Sequence, residues 1–329
     1  MDIKIQTYLL TLWYHENYGT ALQAYALQKA FEFIGITASH IVCSSFARDC
    51  APLPYSSIRK LCRVTAGKHL ILDFYDKVIS HTDLIYTKNS LPTFSKNPIK
   101  IVLGSDQVWN PELYVQDSIF TLRHFPINTI KFTYAPSVGA YKLPHEIFNR
   151  IKAALSDMAL ISCRDSWLSR KMKGVVQREI PIVLDPTLLF DRAFWENEAR
   201  YISSVGKNYV LLYRLGSRHD VLTYAKKVAA ERRRTLIDMT EIMHLIGPRE
   251  FVGIIRNADF VITDSFHGLA FARIFNRPVK AFYKHSGGAF ASDNMRLKDL
   301  HELTGCPRRL YNSRRRSWSY LRKVVGYDN

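Results

Sequence analysis

With 329 residues, the chain has the length of two ordinary domains. Its 47% hydrophobic content is enough for a sizeable core, and 46 basic against 29 acidic residues, a formal charge of +17, exclude an acidic solvating polymer and point to an anionic partner. No apolar run reaches the roughly 18 residues of a membrane-spanning helix, and the start MDIKIQTYLLTLWY lacks the pattern of a secretory leader, so an intracellular protein is expected.

In chain order, apolar runs alternate with longer amphipathic segments, which predicts an α/β protein. A strand over Ile3–Leu12 enters the loop 13–19, and a helix follows from Thr20 to Ile34, with Leu27, Phe31 and Ile34 on one face and Gly35 as its stop. The stretch 44–95 is less regular; prolines stand at 52, 54 and 92, and short helices are expected near 56–64 and 69–80. A strand over Lys100–Leu103 leads to Gly104-Ser105-Asp106, and another over Ile130–Tyr134 leads to Ala135-Pro136-Ser137. A helix is predicted over Pro144–Ala154, then a strand over Ala159–Cys163 that ends at Arg164 and Asp165 before a short helix. Leu184-Asp185-Pro186 marks a boundary.

The alternation then restarts. Strands are expected at 208–213, 235–238, 260–263 and 279–282, with helices at 220–232 and 248–257 and another opening at Asp264-Ser265-Phe266-His267-Gly268. Two such units predict two Rossmann-like, doubly wound domains facing a cleft: residues 1–186 on the acceptor side, 187–306 on the donor side, and a basic segment 307–329. Ligands in such sheets sit at the carboxyl ends of the strands, where these loops lie.

Several chemistries are disfavoured. The five cysteines, at 43, 50, 62, 163 and 306, form no CxxC pair, and the eleven histidines form no HExxH, so reduced thiols and no metal are expected. Neither GxxxxGK[ST] nor GxGxxG occurs, nor the GxSxG elbow or the kinase motifs. No repeat with a period of 20–50 residues is present.

The loops offer candidates. His267 stands in the first turn of a helix, where unpaired N–H groups and the dipole favour an anion; it is read as a hydrogen-bond donor to phosphate or a general acid, or else as local packing. Ser265 or Asp264 would cap that helix. Arg164 would match a carboxylate or phosphate in bidentate fashion, or else pair with Asp165 at the surface. Asp106 would act as a base or orient a hydroxyl, or else cap a turn. Tyr18 and Trp109 would stack on a sugar ring, or else pack.

Seven strings in order carry a resemblance: Asn17 to Gln28, Gly104-Ser105-Asp106-Gln107-Val108-Trp109-Asn110, Tyr134-Ala135-Pro136-Ser137, Ser162-Cys163-Arg164-Asp165, Leu184-Asp185-Pro186-Thr187, Asn257-Ala258-Asp259 with Asp264 to Gly268, and Asn294-Met295-Arg296-Leu297. The chain resembles the polysaccharide pyruvyl transferase family over nearly its whole length, departing from it where Asp165 replaces the usual glutamate. The resemblance implies a fold similar to GT-B glycosyltransferases, phosphoenolpyruvate as donor, a sugar acceptor, a cyclic pyruvate ketal as product, and no cofactor. On that basis His267, Asp106 and His15 are the expected catalytic groups. Arg164, Ser265, His267 and Gly268 are expected on the donor, and Asn17, Tyr18, Gly19, Ser105, Asp106, Gln107 and Trp109 on the acceptor, with galactose the expected sugar. Rivals are a GT-B glycosyltransferase using a sugar nucleotide and a basic nucleic-acid-binding protein; no RNP, KH, zinc-finger or helix-turn-helix pattern favours the latter.

Residues 307–327 hold seven basic residues and no acid, interleaved with Trp318, Tyr320, Leu321, Val324 and Val325. They predict a basic amphipathic helix. The expectation is contact of Arg314, Arg315, Arg316 and Trp318 with an anionic membrane, placing a cytoplasmic enzyme at the inner face of that membrane beside a lipid-linked acceptor. The other reading is a helix that crosses back onto the N-terminal domain.

Overall fold

The computed structural model describes residues 5–12, 17–43, 53–54, 69–86, 98–111, 119–139, 143–216, 219–283 and 291–326. His15, Cys50, Cys62 and the helix expected near 56–64 lie outside the described residues.

The first half runs β1 (Gln6–Leu10), α1 (Tyr18–Phe33), β2 (Ala38–Cys43), β3 (Leu53–Pro54), α2 (His69–Val78), β4 (His81–Tyr86), β5 (Ile99–Leu103) and β6 (Thr129–Thr133). These strands form one sheet in the order β3-β4-β2-β1-β5-β6, parallel except for β3. Strands β5 and β6 are buried at every position, as strands of a sheet covered on both faces are, even though β6 stands at the end of the strand order. Helix α1 is also buried on almost every side. It starts on Asn17, whose side chain accepts from the Gly19 N–H at 2.8 Å. It stops at Gly35, whose φ of +83° lets the Ile36 N–H turn back to the Phe31 carbonyl at 2.9 Å.

After α3 (His145–Ser156), α4 (Ser166–Val176) and α5 (Arg192–Glu198), a second sheet is built from β7 (Val210–Tyr213), α6 (His219–Arg232), β8 (Leu236–Asp238), α7 (Met239–Ile242), α8 (Pro248–Asn257), β9 (Phe260–Thr263), α9 (Phe266–Ile274) and β10 (Val279–Ala281). Its order is β10-β9-β7-β8, all parallel. Helices α10 (Ala291–Thr304) and α11 (Pro307–Val325) close the described chain.

The α/β, doubly wound arrangement expected from the sequence is present in both sheets. Strands β2 and β4 and helices α5 and α10 were not foreseen. The strand expected at 159–163 is instead a pair of isolated bridges, Phe132 to Leu160 and Cys163 to Ile182. The reason is local: the Ser162 N–H donates to the Thr133 hydroxyl at 2.8 Å, and the Ser162 hydroxyl donates to the Thr133 carbonyl at 3.0 Å. Side-chain oxygens replace the main-chain ladder there.

One apolar cluster draws on both sheets: Leu9, Val102 and Phe132 on one side, Leu211, Val261 and Phe271 on the other, with Trp195 between. Tyr18 stacks on Phe251 with ring centroids 5.0 Å apart. The two sheets are therefore held together by desolvated aromatic surface, not by a polar interface alone.

Helix α11 crosses back onto the first half. Its Tyr320 hydroxyl donates to the Thr133 carbonyl at 2.8 Å, Ser317 accepts from the Leu184 N–H at 2.9 Å, and Lys100 donates to the Val325 carbonyl at 2.9 Å. Leu321 and Val324 are buried beneath it. This corrects two of the four expected membrane contacts. The Arg314 guanidinium turns inward and donates to the carbonyls of Leu188 (2.9 Å) and Phe190 (3.2 Å). Trp318 is half-buried between Phe190 and Phe33, with centroids at 5.7 and 5.2 Å. Arg315 and Arg316 are exposed.

Candidate active site

In a doubly wound sheet the chain reverses its direction of travel once, and the gap left at the carboxyl ends of the two strands there is where ligands bind. In the first sheet those strands are β1 and β5, followed by Thr11 and by Gly104-Ser105-Asp106. In the second they are β7 and β9, followed by Arg214-Leu215-Gly216 and by Asp264-Ser265. The two gaps meet where the first turn of α1 touches the first turn of α9. Contact is so close that a Cβ built on Gly19 would lie 2.0 Å from His267 Nδ1 and 2.3 Å from its Cγ. Only a hydrogen fits there. Gly19→Ala should cost about 1–3 kcal/mol, as overpacking does. In urea melts the double variant with His267→Ala should recover most of that loss, because the clashing ring is gone.

At this junction lies a chain of alternating charges. The Thr20 hydroxyl donates to Asp106 Oδ2 at 3.1 Å, and the other oxygen of Asp106 accepts from Arg164 Nη2 at 3.4 Å. Arg164 Nη1 donates to Asp185 Oδ2 at 2.6 Å. Asp185 Oδ1 accepts from the Thr187 N–H and hydroxyl at 3.1 and 2.7 Å. His267 Nε2 stands 3.6 Å from Asp185 Oδ2, within reach of its charge but beyond hydrogen-bond length, and makes no hydrogen bond. The Arg164 side chain is 5% exposed and that of Asp185 0%.

Burial pushes the Asp185 carboxyl up, but the charges of His267 and Arg164 and the bonds to Thr187 outweigh it and hold the group well below the usual carboxylate range. Burial likewise disfavours the Arg164 cation, and Asp185, Asp106 and Asp165 reverse that and raise it. Arg164 also covers the Phe266 ring at 4.6 Å.

Several expected roles change with this geometry. Arg164 has its fork spread over Asp106 and Asp185, so it is a clamp on two carboxylates and not an open anion receptor, nor does it make the expected surface pair with Asp165. Asp165 Oδ2 accepts from the Val138 N–H at 3.2 Å. Asp106 has one oxygen on Thr20 and the other on Arg164, which leaves its role as a base to the remaining lone pairs. Ser105 is fully buried, its hydroxyl donating to the Gln23 side chain, so it does not face an acceptor. Tyr18, stacked on Phe251, and Trp109, 1% exposed with Nε1 donating to the Phe120 carbonyl at 3.2 Å, are packing residues and not sugar platforms. Asn17 caps α1, and Gly19 seats His267.

On the other side, Ser265 caps α9 by accepting from the Gly268 N–H at 3.3 Å. Gly268 lets α9 pack on β9 and β7: a Cβ there would come 2.5 Å from Thr263 Oγ1 and 3.0 Å from Tyr213 Cδ1. Asp264 holds the loop after β7 by accepting from the N–H groups of Leu215 (2.7 Å) and Gly216 (3.2 Å).

The sequence reading missed four members of the site. Thr20, Asp185 and Arg296 lie inside strings already singled out. Arg214 follows the apolar run 208–213, the position at which a functional side chain is expected in such a sheet. Its Nη2 donates to Asp238 at 3.3 Å, while its buried Nε has no partner. Arg296 reaches across to the first half: with the amide oxygen of Gln107 turned to face it, both terminal guanidinium nitrogens lie within 2.6 and 2.7 Å. Ser166 donates to Asp299 at 2.8 Å beside it.

The polysaccharide pyruvyl transferase model matches residues 17–285, more than three-quarters of the chain. The chain belongs to the polysaccharide pyruvyl transferase family. Comparison with curated proteins gives no match. Solved structures with a similar fold include the UDP-GlcNAc 2-epimerase of Neisseria meningitidis (TM-score 0.51, 7% identity, 97% of this chain and 98% of that one). Others are the UDP-N-acetylglucosamine 2-epimerase of Rickettsia bellii (0.52, 10%, 98% and 96%) and a putative one of Listeria monocytogenes (0.51, 8%, 99% and 98%). At such identities the likeness shows the fold alone. That fold is GT-B-like, and membership of the family makes the chain a polysaccharide-modifying transferase.

Proposed function

We propose that the chain moves the enolpyruvyl group of phosphoenolpyruvate onto two hydroxyls of a hexose in a glycan precursor, galactose being the sugar expected, and closes a cyclic pyruvate ketal with release of phosphate. Such a product belongs to capsular, exo- or cell-surface polysaccharide synthesis. The observation that carries the reading is the His267–Asp185 pair at the meeting point of both strand-end gaps. A histidine facing a buried carboxylate is suited to carry a proton to the carbon of an enol ether.

In this reading one sugar hydroxyl adds to C2 of the donor while C3 takes a proton from His267, converting the methylene to a methyl. The second hydroxyl then attacks C2, the C2–O bond to phosphate breaks, and the proton of that hydroxyl leaves with phosphate. The proton of the first hydroxyl restores His267. Two O–H bonds, one C–O bond and the C2–C3 π bond break; two C–O bonds, one C–H bond and one O–H bond on phosphate form, with no change that calls for a redox partner.

His267 faces Asp185 with Nε2 and packs its Nδ1 edge on Gly19, so the ring is held from both sides. Arg164 acts by keeping Asp106 and Asp185 in place. The donor anion is assigned to Arg214 and to the N–H groups at the start of α9, where the helix dipole favours negative charge.

The test is turnover of candidate lipid-linked oligosaccharides with phosphoenolpyruvate, read as a mass gain of pyruvate less water with equimolar phosphate. Turnover with a nucleotide sugar and none with phosphoenolpyruvate overturns the reading. Arg214→Ala should raise the apparent KM for phosphoenolpyruvate by roughly 10- to 100-fold, the worth of a charge-assisted hydrogen bond, with a smaller change in kcat. Arg214→Lys should not restore it, since an ammonium lacks the fork.

A further inference from the structure

The cations of α11 are not spread around the helix. Arg308, Arg315 and Arg322 repeat at seven-residue intervals, about two turns, and so do Arg309, Arg316 and Lys323. All six are exposed, while Ser317, Tyr320, Leu321 and Val324 are buried on the opposite side. Among the described residues none of the six has an ion pair. The inner face of the helix is thus committed to the fold, and its outer face is a stripe of unpaired positive charge.

Beside that stripe lies apolar surface with no structural duty of its own. Phe33, at the end of α1, is 72% exposed although its ring leans on Trp318. Tyr311 is 60% exposed on the same edge of α11. Glu32, next to Phe33 in the chain, is neutralised by Lys29 at 2.6 Å. Phe33, Arg315, Trp318, Ser319 and Arg322 line a depression of about 350 Å³. A second, of about 550 Å³, shares Ser319 and Arg322 and adds Leu160, Lys323 and Gly326.

We propose that the outer face of α11, together with Phe33, docks the protein on an anionic phospholipid bilayer, with lipid phosphates among Arg315, Arg322 and Lys323 and the Phe33 ring at the acyl boundary. Three observations favour this partner. The charge is of one sign over the whole exposed arc. Exposed aromatics flank the charge, as in helices that lie in a membrane interface. The cations lie on the exposed side of one helix and border open depressions, whereas single-stranded nucleic acid is gripped in a charged groove with stacking platforms inside it.

The surface differs from a free amphipathic tail, because Arg314 and most apolar residues of α11 face the protein. Attraction is therefore carried by charge, with Phe33 as the inserted group. The buried side of the same helix reaches Leu184, one residue from Asp185. Docking on this face would bring the catalytic junction close to the lipid surface. Among the described residues no helix is long and apolar enough to cross a bilayer.

The experiment is flotation of the full chain with vesicles of phosphatidylcholine alone or with about 30% phosphatidylglycerol, at roughly 50 mM and 0.5 M salt. Binding is expected only to the anionic vesicles and only at low salt. Each basic residue near the surface is worth roughly a fivefold change in partitioning, so Arg315→Glu, Arg316→Glu and Lys323→Glu combined should reduce it on the order of 100-fold or more. Phe33→Ser should weaken it by about 10-fold at unchanged charge, as loss of a buried aromatic ring does. These side chains are exposed, so the melting temperature of each variant should match the parent. Equal partitioning of the charge variant and the parent, or no partitioning at all, overturns the proposal. So does Phe33→Ser without effect on vesicles combined with tight binding of a single-stranded oligonucleotide, which would make the stripe a nucleic-acid surface.

Discussion

His267→Gln should lower kcat by on the order of 10² to 10⁴, the range for a positioned general acid, while KM for phosphoenolpyruvate changes little. The substitution keeps a planar polar side chain of similar size in the space that Gly19 leaves open, so a folded protein is expected. What it removes is the transferable proton. The loss should appear in single-turnover experiments as well as in steady state, which separates slowed chemistry from slowed product release. A folded His267→Gln protein with parental turnover would reduce the imidazole to a packing group between the two halves.

Asp185→Asn should act first on stability. It leaves Arg164 buried with one weak partner and removes the carboxylate that faces His267. Breaking a buried pair by deleting one charge costs about 3–5 kcal/mol. The pH dependence gives a second readout. The folded Asp185 carboxyl titrates below its unfolded value, so its contribution is fully present above the unfolded carboxylate range and is lost as pH falls through the folded value. The parent should therefore lose stability on acidification below about pH 5, and the Asn variant should show a flatter acid limb over the same window. Identical acid limbs would mean that the pairing with Arg164 and His267 contributes nothing net.

Helix α11 shows how far periodicity alone can be taken. Ser317, Leu321 and Val324 mark its inner side, and Arg314 lies one turn before Ser317 on the flank of that side. The sequence reading nevertheless grouped Arg314 with Arg315 and Arg316, since a flank position can turn either way. What spacing could not supply was the destination of its guanidinium, the carbonyls of Leu188 and Phe190 more than a hundred residues away in the chain.

The same division holds for the site. Local chemistry determined the alternation of strands and helices, the stop at Gly35, the helix opening at Ser265 and the position of the important loops at strand ends. Each of these is set by the few residues around it, through backbone preference and apolar period. Tertiary structure alone decided which of those loops meet. Arg164 reads as an anion receptor from its position after an apolar run. Only the fold brings it between Asp106 and Asp185, 58 and 21 residues away, and fills its fork. Tyr18 and Trp109 look like sugar platforms until helix α8 covers the one with Phe251 and the core takes the other. Gly19 reads as an acceptor contact in the sequence, because the ring that requires its missing Cβ belongs to His267 in the other half of the chain. A sequence specifies what each segment offers; the distances that turn those offers into a buried charge relay come from packing two sheets on one apolar core, which is a property of all the contacts at once.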